Sequence, residues 1–342
     1  MSKAFIAGCA GISLSDGERA FFADERPWGL IVFARNVGSR DELLALTADF
    51  RRAVDDERAP VLIDQEGGRV QRLRAPLAPD YPSNLELGAL YANDAEGGLR
   101  ATYLLSRMHA FDLARVGIDI DCLPVLDVPV PGAHAVIGDR AYGFDPASVA
   151  ALGRAACEGL LDGGVLPVIK HMPGHGRADA DSHKELPVVT APLDELEAND
   201  FAPFRELSDM PVGMSAHVRY TAIDPTRPGT TSPAVIGDVV RGHIGFDGLL
   251  LSDDVSMHAL QGDFGARTRD LLGAGCDIAL HCNGAMDEAR AVAAASPELS
   301  GRSLDRAERA LALREAVVAA DEEAVREEFR RLTGRDVARP AA

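Results

Sequence analysis

The segment from Lys170 to His183, KHMPGHGRADADSH, brings histidine, aspartate and lysine side chains together in one short stretch. Glycine and proline punctuate it, so we expect a shaped loop after the preceding apolar run rather than a helix. Asp181 and His183 are two residues apart, and on an extended chain both side chains would project to the same face. A carboxylate beside an imidazole fixes its tautomer and raises its pKa, as a general acid/base requires. A single histidine here would more often be a loop-packing residue, but the whole string predicts a catalytic loop.

Further polar side chains end six of the apolar runs in the sequence. They are Asp64, Asp127, Lys170 with His171, His217, Asp253 with Asp254, and Asn283. A charge buried at a strand end is costly unless it is paired, so one or two of these groups could be structural ion pairs. Six such strand ends together favour a functional site. Adjacent residues of a strand point to opposite faces, so only one of Asp253 and Asp254 should face that site, and the pattern alone does not say which.

The apolar runs themselves predict buried parallel strands. They are rich in Val, Ile, Leu, Ala and Cys and lack polar alternation, as expected for strands that helices cover on both faces. The eight runs span residues 3–8, 29–34, 60–64, 118–128, 166–171, 212–217, 248–253 and 277–283.

Amphipathic segments between these runs predict helices. The first begins with Ser15 and has Glu18 three residues later, which is a capping-box pattern. The predicted helices span residues 15–25, 39–55, 97–116, 146–162, 193–207, 233–243, 266–274 and 285–295, and two more follow at 303–318 and 322–332.

Eight alternating strand and helix units predict a (β/α)8 TIM barrel, whose active site lies at the C-terminal ends of the strands. We expect residues 1–300 to form a single catalytic barrel and residues 301–342 to form a C-terminal helical extension packed on it. The rival fold is a doubly wound open sheet. That fold usually carries a glycine-rich phosphate turn after its first strand, and the sequence GCAG at residues 8–11 is a poor match to GxGxxG.

Composition limits the partners and the compartment. A formal net charge of −18 argues against binding to nucleic acid or to anionic membranes. The cysteines are scattered without a CxxC pair, which favours buried free thiols in a reducing compartment. They are Cys9, Cys122, Cys157, Cys276 and Cys282. The N-terminus lacks a signal-peptide pattern, and no apolar run reaches the ~18 residues of a membrane span. We therefore expect a cytoplasmic protein, and a monomer because no long apolar surface stripe is evident.

Five strings of this sequence together resemble the family 3 glycoside hydrolases. They are KHMPGHGRADADSH, IDQEGGRVQRLR, PVLDV, IGDRAYG and GFDGLLLSDDVSM. Within that family the chain is similar to the single-domain bacterial β-N-acetylglucosaminidases of peptidoglycan recycling. Other branches lack the histidine-bearing loop and take a carboxylate acid/base from a second domain. The one departure in the matched strings is Met172, where the motif usually has Phe, and Met can fill the same packing role.

The resemblance implies a role for each matching position. Asp253 corresponds to the nucleophile, His183 to the acid/base and Asp181 to its dyad partner. Asp254 would be a supporting neighbour. The implied sugar-binding residues are Asp64, Arg72, Arg140, Lys170, His171 and His217.

The resemblance also implies the reaction. A covalent glycosyl-enzyme would form on Asp253, and its hydrolysis would release N-acetylglucosamine with retained configuration. The implied substrate is a muropeptide with terminal non-reducing N-acetylglucosamine, such as GlcNAc-1,6-anhydro-MurNAc-peptide. No cofactor and no metal are expected.

Four further functions stay open. Two are close: a β-N-acetylglucosaminide phosphorylase, in which phosphate replaces water as acceptor, and a β-glucosidase of the same family. A third is a catalytically inactive sugar-binding protein on the same fold. The fourth is a metal-dependent barrel hydrolase, because several side chains are potential zinc ligands. Those side chains are His171, His175, His183, His217 and Asp253.

Overall fold

Eight parallel strands close into a barrel in this computed structural model, which describes residues 2–182 and 184–337. The strands are β1 (Lys3–Gly8), β2 (Pro27–Val32), β3 (Val61–Ile63), β4 (Ile120–Asp121), β5 (Leu166–Met172), β6 (Val212–Ser215), β7 (Leu249–Asp254) and β8 (Ile278–His281). Each strand pairs with its neighbours in chain order, and β1 pairs with β8, where Phe5 lies opposite Ala279. The predicted (β/α)8 barrel is confirmed.

The fourth strand differs most from its predicted bounds. The apolar run covers residues 118–128, but β4 includes only Ile120–Asp121. Pro124 has no amide hydrogen to donate to the strand ladder. Pairing with β5 resumes as a single bridge between Val125 and Lys170. An apolar run therefore located the strand but did not fix its length.

Helices cover the outside of the barrel. They span Asp16–Glu25, Arg40–Val54, Asn84–Asn93, Ala95–Ala114, Pro146–Asp162, Leu193–Glu195, Ala202–Glu206, Phe264–Ala274, Met286–Ala295, Gly301–Ala312 and Glu322–Thr333. Wider π-helical turns occupy Leu196–Asp200 and Ala234–His243. The predicted capping box is present, since the Ser15 side chain accepts from the Glu18 amide and the Glu18 carboxylate accepts from the Ser15 amide.

The observed helices differ from the predicted ones in two places. The helix Asn84–Asn93 was not predicted, although Ser83 and Glu86 form a capping box at its start. The segment predicted as one helix at 303–318 is helical only over Gly301–Ala312, with one further 3-10 turn at Leu313–Glu315.

One apolar cluster fills the inside of the barrel, and the helix Gly301–Ala312 contributes to it. Ala307 and Ala310 of that helix are buried beside strand residues such as Leu249 and Ile278. Arg306 pairs with Asp277, which directly precedes β8. The helix therefore covers the N-terminal end of the barrel, opposite the end at which catalytic residues are expected. The predicted division of the chain at residue 300 stays a prediction.

The cysteines are free and buried, as predicted. Burial raises the pKa of the Cys9 and Cys276 thiols to about 12, so both stay protonated at neutral pH. Among the described residues, no helix has the length and apolar character needed to cross a membrane.

Candidate active site

A cavity of about 280 Å³ opens at the C-terminal ends of the barrel strands. Its size is near the lower end of the ~300–1,000 Å³ that ligand pockets usually have, which suits one sugar ring. Apolar surface comes from residues such as Phe33 and Met214. The polar and charged lining residues are Asp64, Arg69, Arg72, Arg140, Lys170, His171, His175, Asp181, Ser182, Asp253 and Asp254. Most of the residues predicted for the site thus lie around one cavity.

Opposite charges are paired on one side of this cavity. Lys170 Nζ lies 2.7 Å from Glu66 Oε1 and 3.1 Å from Asp64 Oδ1. The Arg140 guanidinium binds both oxygens of Glu66, with Nε and Nη2 each 2.8 Å from an oxygen. Arg72 Nη2 donates to Asp64 Oδ2 at 2.9 Å. These five side chains hold one another in fixed positions, and we name them the charge cluster.

The charge cluster keeps its members ionised. Burial by itself would raise the pKa of Glu66, but the charges of Arg140 and Lys170 outweigh burial and lower it to about 2. The pKa of Asp64 is likewise below its ordinary range because Lys170 and Arg72 oppose the effect of burial. Burial would lower the pKa of Lys170, yet the two carboxylates hold it above the ordinary lysine value. The cluster therefore presents fixed charges, suited to binding sugar hydroxyls, over a wide pH range.

Glu66 is the main residue of the site that was not predicted. It follows Asp64 by two residues, so on an extended chain both side chains project to the same face. The short antiparallel ribbon of Gln65–Gly67 with Val70–Gln71 holds this segment after β3. That spacing was the available signal, but the sequence did not reveal that Lys170 and Arg140 both converge on Glu66.

A second buried carboxylate orients the end of β5. Asp127 Oδ2 lies 2.7 Å from His171 Nδ1, and its Oδ1 accepts the backbone amide of His175 at 2.6 Å. Burial would raise the pKa of Asp127, but His171 and the amide of His175 contribute to lowering it to about 2. An ionised Asp127 accepts a hydrogen bond from His171 Nδ1, which leaves Nε2 for a ligand. Asp127 is therefore a positioning residue.

The end of β7 separates the roles of Asp253 and Asp254. Asp254 Oδ1 accepts the backbone amides of Ser256 at 3.0 Å and of Cys282 at 3.1 Å, and its Oδ2 accepts the Ser256 hydroxyl. Asp254 therefore links the end of β7 by a hydrogen bond to the residue that follows β8. Asp253 is 7 % exposed, lines the cavity, and accepts the Asp254 amide at 2.8 Å through Oδ1. Both carboxylates line the cavity, but both oxygens of Asp254 already hold neighbouring groups, which favours Asp253 as the reactive carboxylate and Asp254 as its support.

His217 is fully buried and, among the described residues, is not one of those lining the cavity. Its Nε2 lies 3.0 Å from the backbone oxygen of Asp254, and its Nδ1 lies 2.8 Å from Thr230 Oγ1. A carbonyl oxygen can only accept, so Nε2 of His217 carries the proton. Burial lowers the pKa of His217, which keeps the ring neutral. In these contacts His217 positions the backbone next to Asp253.

The predicted catalytic loop returns to the cavity at its far end. Asp181 and Ser182 both line the cavity, and Ser182 Oγ lies 3.4 Å from Nε2 of His175. Burial lowers the pKa of His175 to about 4, so this ring is neutral at neutral pH. His183, which the sequence predicts as the acid/base, lies outside the described residues.

Among residues 2–182 and 184–337, no group of three or more His, Cys, Asp or Glu side chains is placed to hold a metal ion. His171 and His175 line the cavity, whereas His217 lies behind its wall in the contacts described above.

A family profile and two named relatives are similar to this chain over most of its length. The sequence profile described as "Glycosyl hydrolase family 3 N terminal domain" matches residues 10–312. The chain is 41 % identical over 281 residues to a protein named Beta-hexosaminidase from Aromatoleum aromaticum, covering 80 % of this chain and 77 % of that one. It is 41 % identical over 284 residues to a Beta-hexosaminidase from Alkalilimnicola ehrlichii, covering 81 % and 80 %.

A solved structure extends this similarity to the fold. NagZ from Neisseria gonorrhoeae, crystallised in complex with N-trifluoroacetyl-D-glucosamine, superposes with a TM-score of 0.86 and 32 % sequence identity. The match covers 97 % of this chain and 98 % of NagZ, so both chains share the whole architecture. From the profile match, the sequence identity and the shared barrel, we conclude that this chain is a glycoside hydrolase and belongs to glycosyl hydrolase family 3.

Proposed function

We propose that this protein is a retaining exo-β-N-acetylglucosaminidase. The observation that carries the proposal is that Asp253 and Asp181 line the same cavity as four members of the charge cluster, Asp64, Arg72, Arg140 and Lys170. The names of the relatives support the sugar class, since the curated ones are called beta-hexosaminidases. NagZ supports it as well, because its crystals contain a glucosamine derivative.

The proposed reaction has two steps. In the first, an Asp253 oxygen attacks the anomeric carbon while protonated His183 gives its proton to the departing glycosidic oxygen. In the second, neutral His183 takes a proton from water, the water oxygen attacks the anomeric carbon, and the bond to Asp253 breaks. Each step inverts the anomeric centre, so the sugar leaves in its original β-configuration. The role of His183 rests on the sequence string KHMPGHGRADADSH.

Asp181 is the proposed partner of His183. A carboxylate next to an imidazole stabilises its protonated form and holds the ring in one tautomer. Asp181 lines the cavity, which supports its place beside the reacting atoms.

The remaining predicted residues bind the sugar in this proposal. Asp64 accepts hydrogen bonds from sugar hydroxyls, and Lys170, Arg72, Arg140 and His171 donate them. Their mutual ion pairs and the Asp127–His171 contact support this role, because the groups are held in place before the sugar arrives. For His217 we propose an indirect role through the backbone of Asp254 rather than sugar contact.

The proposed natural substrate is a muropeptide with terminal non-reducing N-acetylglucosamine, cleaved by a cytoplasmic monomer during peptidoglycan recycling. The sequence resemblance supports this finer assignment. Arg69 lines the cavity, where its 46 % exposed side chain pairs with Asp139 at 2.6 Å, and in this proposal it also meets an acidic group of the aglycone.

The direct test is proton NMR of the first product formed from an aryl β-N-acetylglucosaminide, with an aryl β-glucoside as the matched substrate. We expect β-N-acetylglucosamine to appear first, with little cleavage of the glucoside. A first product in the α-configuration would contradict a retaining mechanism. Faster cleavage of the glucoside would make the protein a β-glucosidase, and no cleavage of either substrate would favour a sugar-binding protein.

Two additions to the assay mixture test for a phosphorylase and for a metal-dependent hydrolase. With inorganic phosphate added, a hydrolase still yields the free sugar, whereas a sugar 1-phosphate product would identify a phosphorylase. With a chelator added, we expect activity to survive prolonged incubation, and its loss with recovery on adding zinc would indicate metal-dependent chemistry.

A further inference from the structure

A second cavity of about 240 Å³ lies beside the catalytic loop. Three arginines line it, Arg219, Arg227 and Arg267, and we name it the arginine pocket.

The arginine pocket and the active-site cavity share a wall. Ser182 and Met257 line the active-site cavity, whereas Leu186 and Ala259 line the arginine pocket. The Ala259 amide donates to the Ser182 carbonyl at 3.2 Å, which joins the catalytic loop to the segment that follows β7. A ligand in the arginine pocket would therefore contact both segments that carry the proposed catalytic residues.

The arginines of this pocket have no direct carboxylate partner among the described residues, although the charges of Glu288, Asp254 and Asp263 act on Arg267 from a greater distance. In the described part of the chain, Arg219, Arg227 and Arg267 have no carboxylate oxygen within the 4.0 Å that defines an ion pair. Asp270 also lines the pocket, but it is exposed and forms no such pair with them. By contrast, Arg140 and Arg306 are each paired with a carboxylate.

Hydrogen bonds within the described residues occupy only some of the guanidinium donors at this pocket. Nε of Arg219 is shielded from solvent and has no hydrogen-bond partner among the described residues. Arg267 donates from Nη1 to the Val255 carbonyl at 2.7 Å and from Nε to the Gly262 carbonyl at 3.0 Å, so two of its nitrogens are held by backbone. That anchoring fixes the Arg267 guanidinium at the wall of the pocket.

The chemistry of these groups indicates an anion. A chain with a net charge of −18 repels anions in general, so three unpaired guanidinium groups around one cavity form a local region of opposite sign. The planar fork of arginine donors matches the oxygens of carboxylate and phosphate groups. An incoming anion would give Arg219 and Arg227 the negatively charged partner that the described residues do not supply.

We propose that the arginine pocket binds a carboxylate or phosphate group next to the catalytic loop. The group comes either from a free anion or from the acidic part of a substrate that extends beyond the sugar. The second source rests on the proposed glycosidase function, whereas the first does not.

The binding test uses inorganic phosphate and isothermal titration calorimetry on the full chain. We expect saturable binding that Arg219→Gln and Arg227→Gln each weaken by about 10-fold, the loss of one charge-assisted contact. Arg302→Gln is the matched control, because Arg302 is exposed on the helix at the opposite end of the barrel. Arg227 is exposed too, so its substitution is expected to leave the fold intact even if Arg219→Gln does not fold.

The kinetic test separates the two sources of the anion. The parent and the variants are compared on two aryl β-N-acetylglucosaminides, one with a neutral aglycone and one with a carboxylate on its aglycone. If the anion belongs to the substrate, Arg219→Gln raises KM about 10-fold for the acidic substrate alone, the loss of one charge-assisted contact. If the anion is free, phosphate binding is weakened and the ratio of the two KM values is unchanged.

The proposal is overturned if neither substitution weakens phosphate binding and the KM ratio stays at the parent value. If the proposed function is wrong, the parent protein does not cleave the neutral substrate, and this result is distinct from an unchanged KM ratio. Phosphate binding needs no turnover, so its outcome is independent of that failure.

Discussion

The buried carboxylate of Glu66 forms ion pairs with two side chains of the site, Arg140 and Lys170. Glu66→Gln would leave Arg140 and Lys170 without the full charge that both contact. Removing one partner of a buried ion pair typically lowers the free energy of unfolding by about 3 kcal/mol or more. Displaced sugar-binding groups should also lower kcat/KM about 100-fold.

Urea unfolding and aryl glycoside kinetics measure the two effects of Glu66→Gln. Glu57→Gln is the matched control, since Glu57 is exposed. Parent-like kcat/KM in Glu66→Gln would show that Glu66 does not organise the site.

His175 makes stability depend on pH. Its pKa in the folded protein is about 4, below the ordinary histidine value, so the folded state binds this proton less readily than the unfolded state. The contribution of neutral His175 to stability is complete above about pH 6.5 and is lost as pH falls toward about 4. Between about pH 7.5 and about pH 5 the free energy of unfolding should fall by about 2 kcal/mol more in the parent than in His175→Gln. Urea titrations at both pH values give that difference, and equal pH slopes would contradict the account.

At the residue scale, the sequence located the side chains that line the cavity better than the groups that orient them. Asp64, Lys170 and Asp253 were recognised because each ends an apolar run, and all three line the cavity. The orienting contacts of Glu66 and Asp127 come from strands distant in sequence, so local patterns do not reveal them. The alternation rule left Asp253 and Asp254 equivalent until the backbone contacts of Asp254 were known.

Among the elements, the predicted catalytic loop depends on close backbone packing at Gly176. A Cβ at this position would lie 2.1 Å from the backbone oxygen of Val128, which cannot move aside as a side chain could. Gly176→Ala should therefore displace the loop that carries Asp181 and lower kcat/KM by about 100-fold. Its overpacking should lower the free energy of unfolding by about 2 kcal/mol.

The control for Gly176→Ala is Gly237→Ala. Gly237 lies in the helical segment Ala234–His243, and a Cβ there would meet nothing within 4 Å. This control should leave activity unchanged and raise stability slightly, since alanine favours helix over glycine. Equal activity of the two variants would mean that the loop tolerates displacement.

The sequence predicted elements well where one local signal dominates. Continuous apolar runs identified every barrel strand, and Ser15 with Glu18 marked the start of a helix. The helix Asn84–Asn93 lies in the long connection between β3 and β4. It is an additional helix outside the strand–helix alternation on which the prediction relied. The short length of β4 depends on how the chain after Asp121 leaves the sheet, which is a tertiary effect that hydrophobicity does not encode.

For the whole molecule, we expect stability to depend on the helix Gly301–Ala312, which closes the N-terminal end of the barrel. Ala310 is 1 % exposed within the cluster that fills the barrel, whereas Ala312 of the same helix is exposed. Ala310→Asp would bury an unpaired carboxylate and should lower the free energy of unfolding by about 3 kcal/mol. Ala312→Asp should change it by less than about 0.5 kcal/mol.

Chemical denaturation of the two variants tests this closure. The KM of folded Ala310→Asp should equal that of the parent, because the site lies at the other end of the barrel. Equal stabilities of Ala310→Asp and Ala312→Asp would show that the helix Gly301–Ala312 does not seal the core.

At this scale the fold was predictable because eight similar units leave few ways to bury their strands. The packing of Gly301–Ala312 across the end of the barrel was harder to predict, because the sequence of a charged amphipathic helix does not indicate which surface the helix covers. Arg306, paired with Asp247 and Asp277, shows that the helix is held by contacts with the N-terminal ends of β7 and β8.

We propose that Asp253 is the nucleophile of the glycoside-cleaving site. The most direct test of this proposal is the kcat of Asp253→Asn with an aryl β-N-acetylglucosaminide that has an activated leaving group, so that proton donation is not limiting. Asp287→Asn is the matched control, because Asp287 is exposed on a barrel helix. We predict that kcat falls by about 1,000-fold or more in Asp253→Asn and stays at the parent value in Asp287→Asn. A kcat near the parent value in Asp253→Asn would contradict the account.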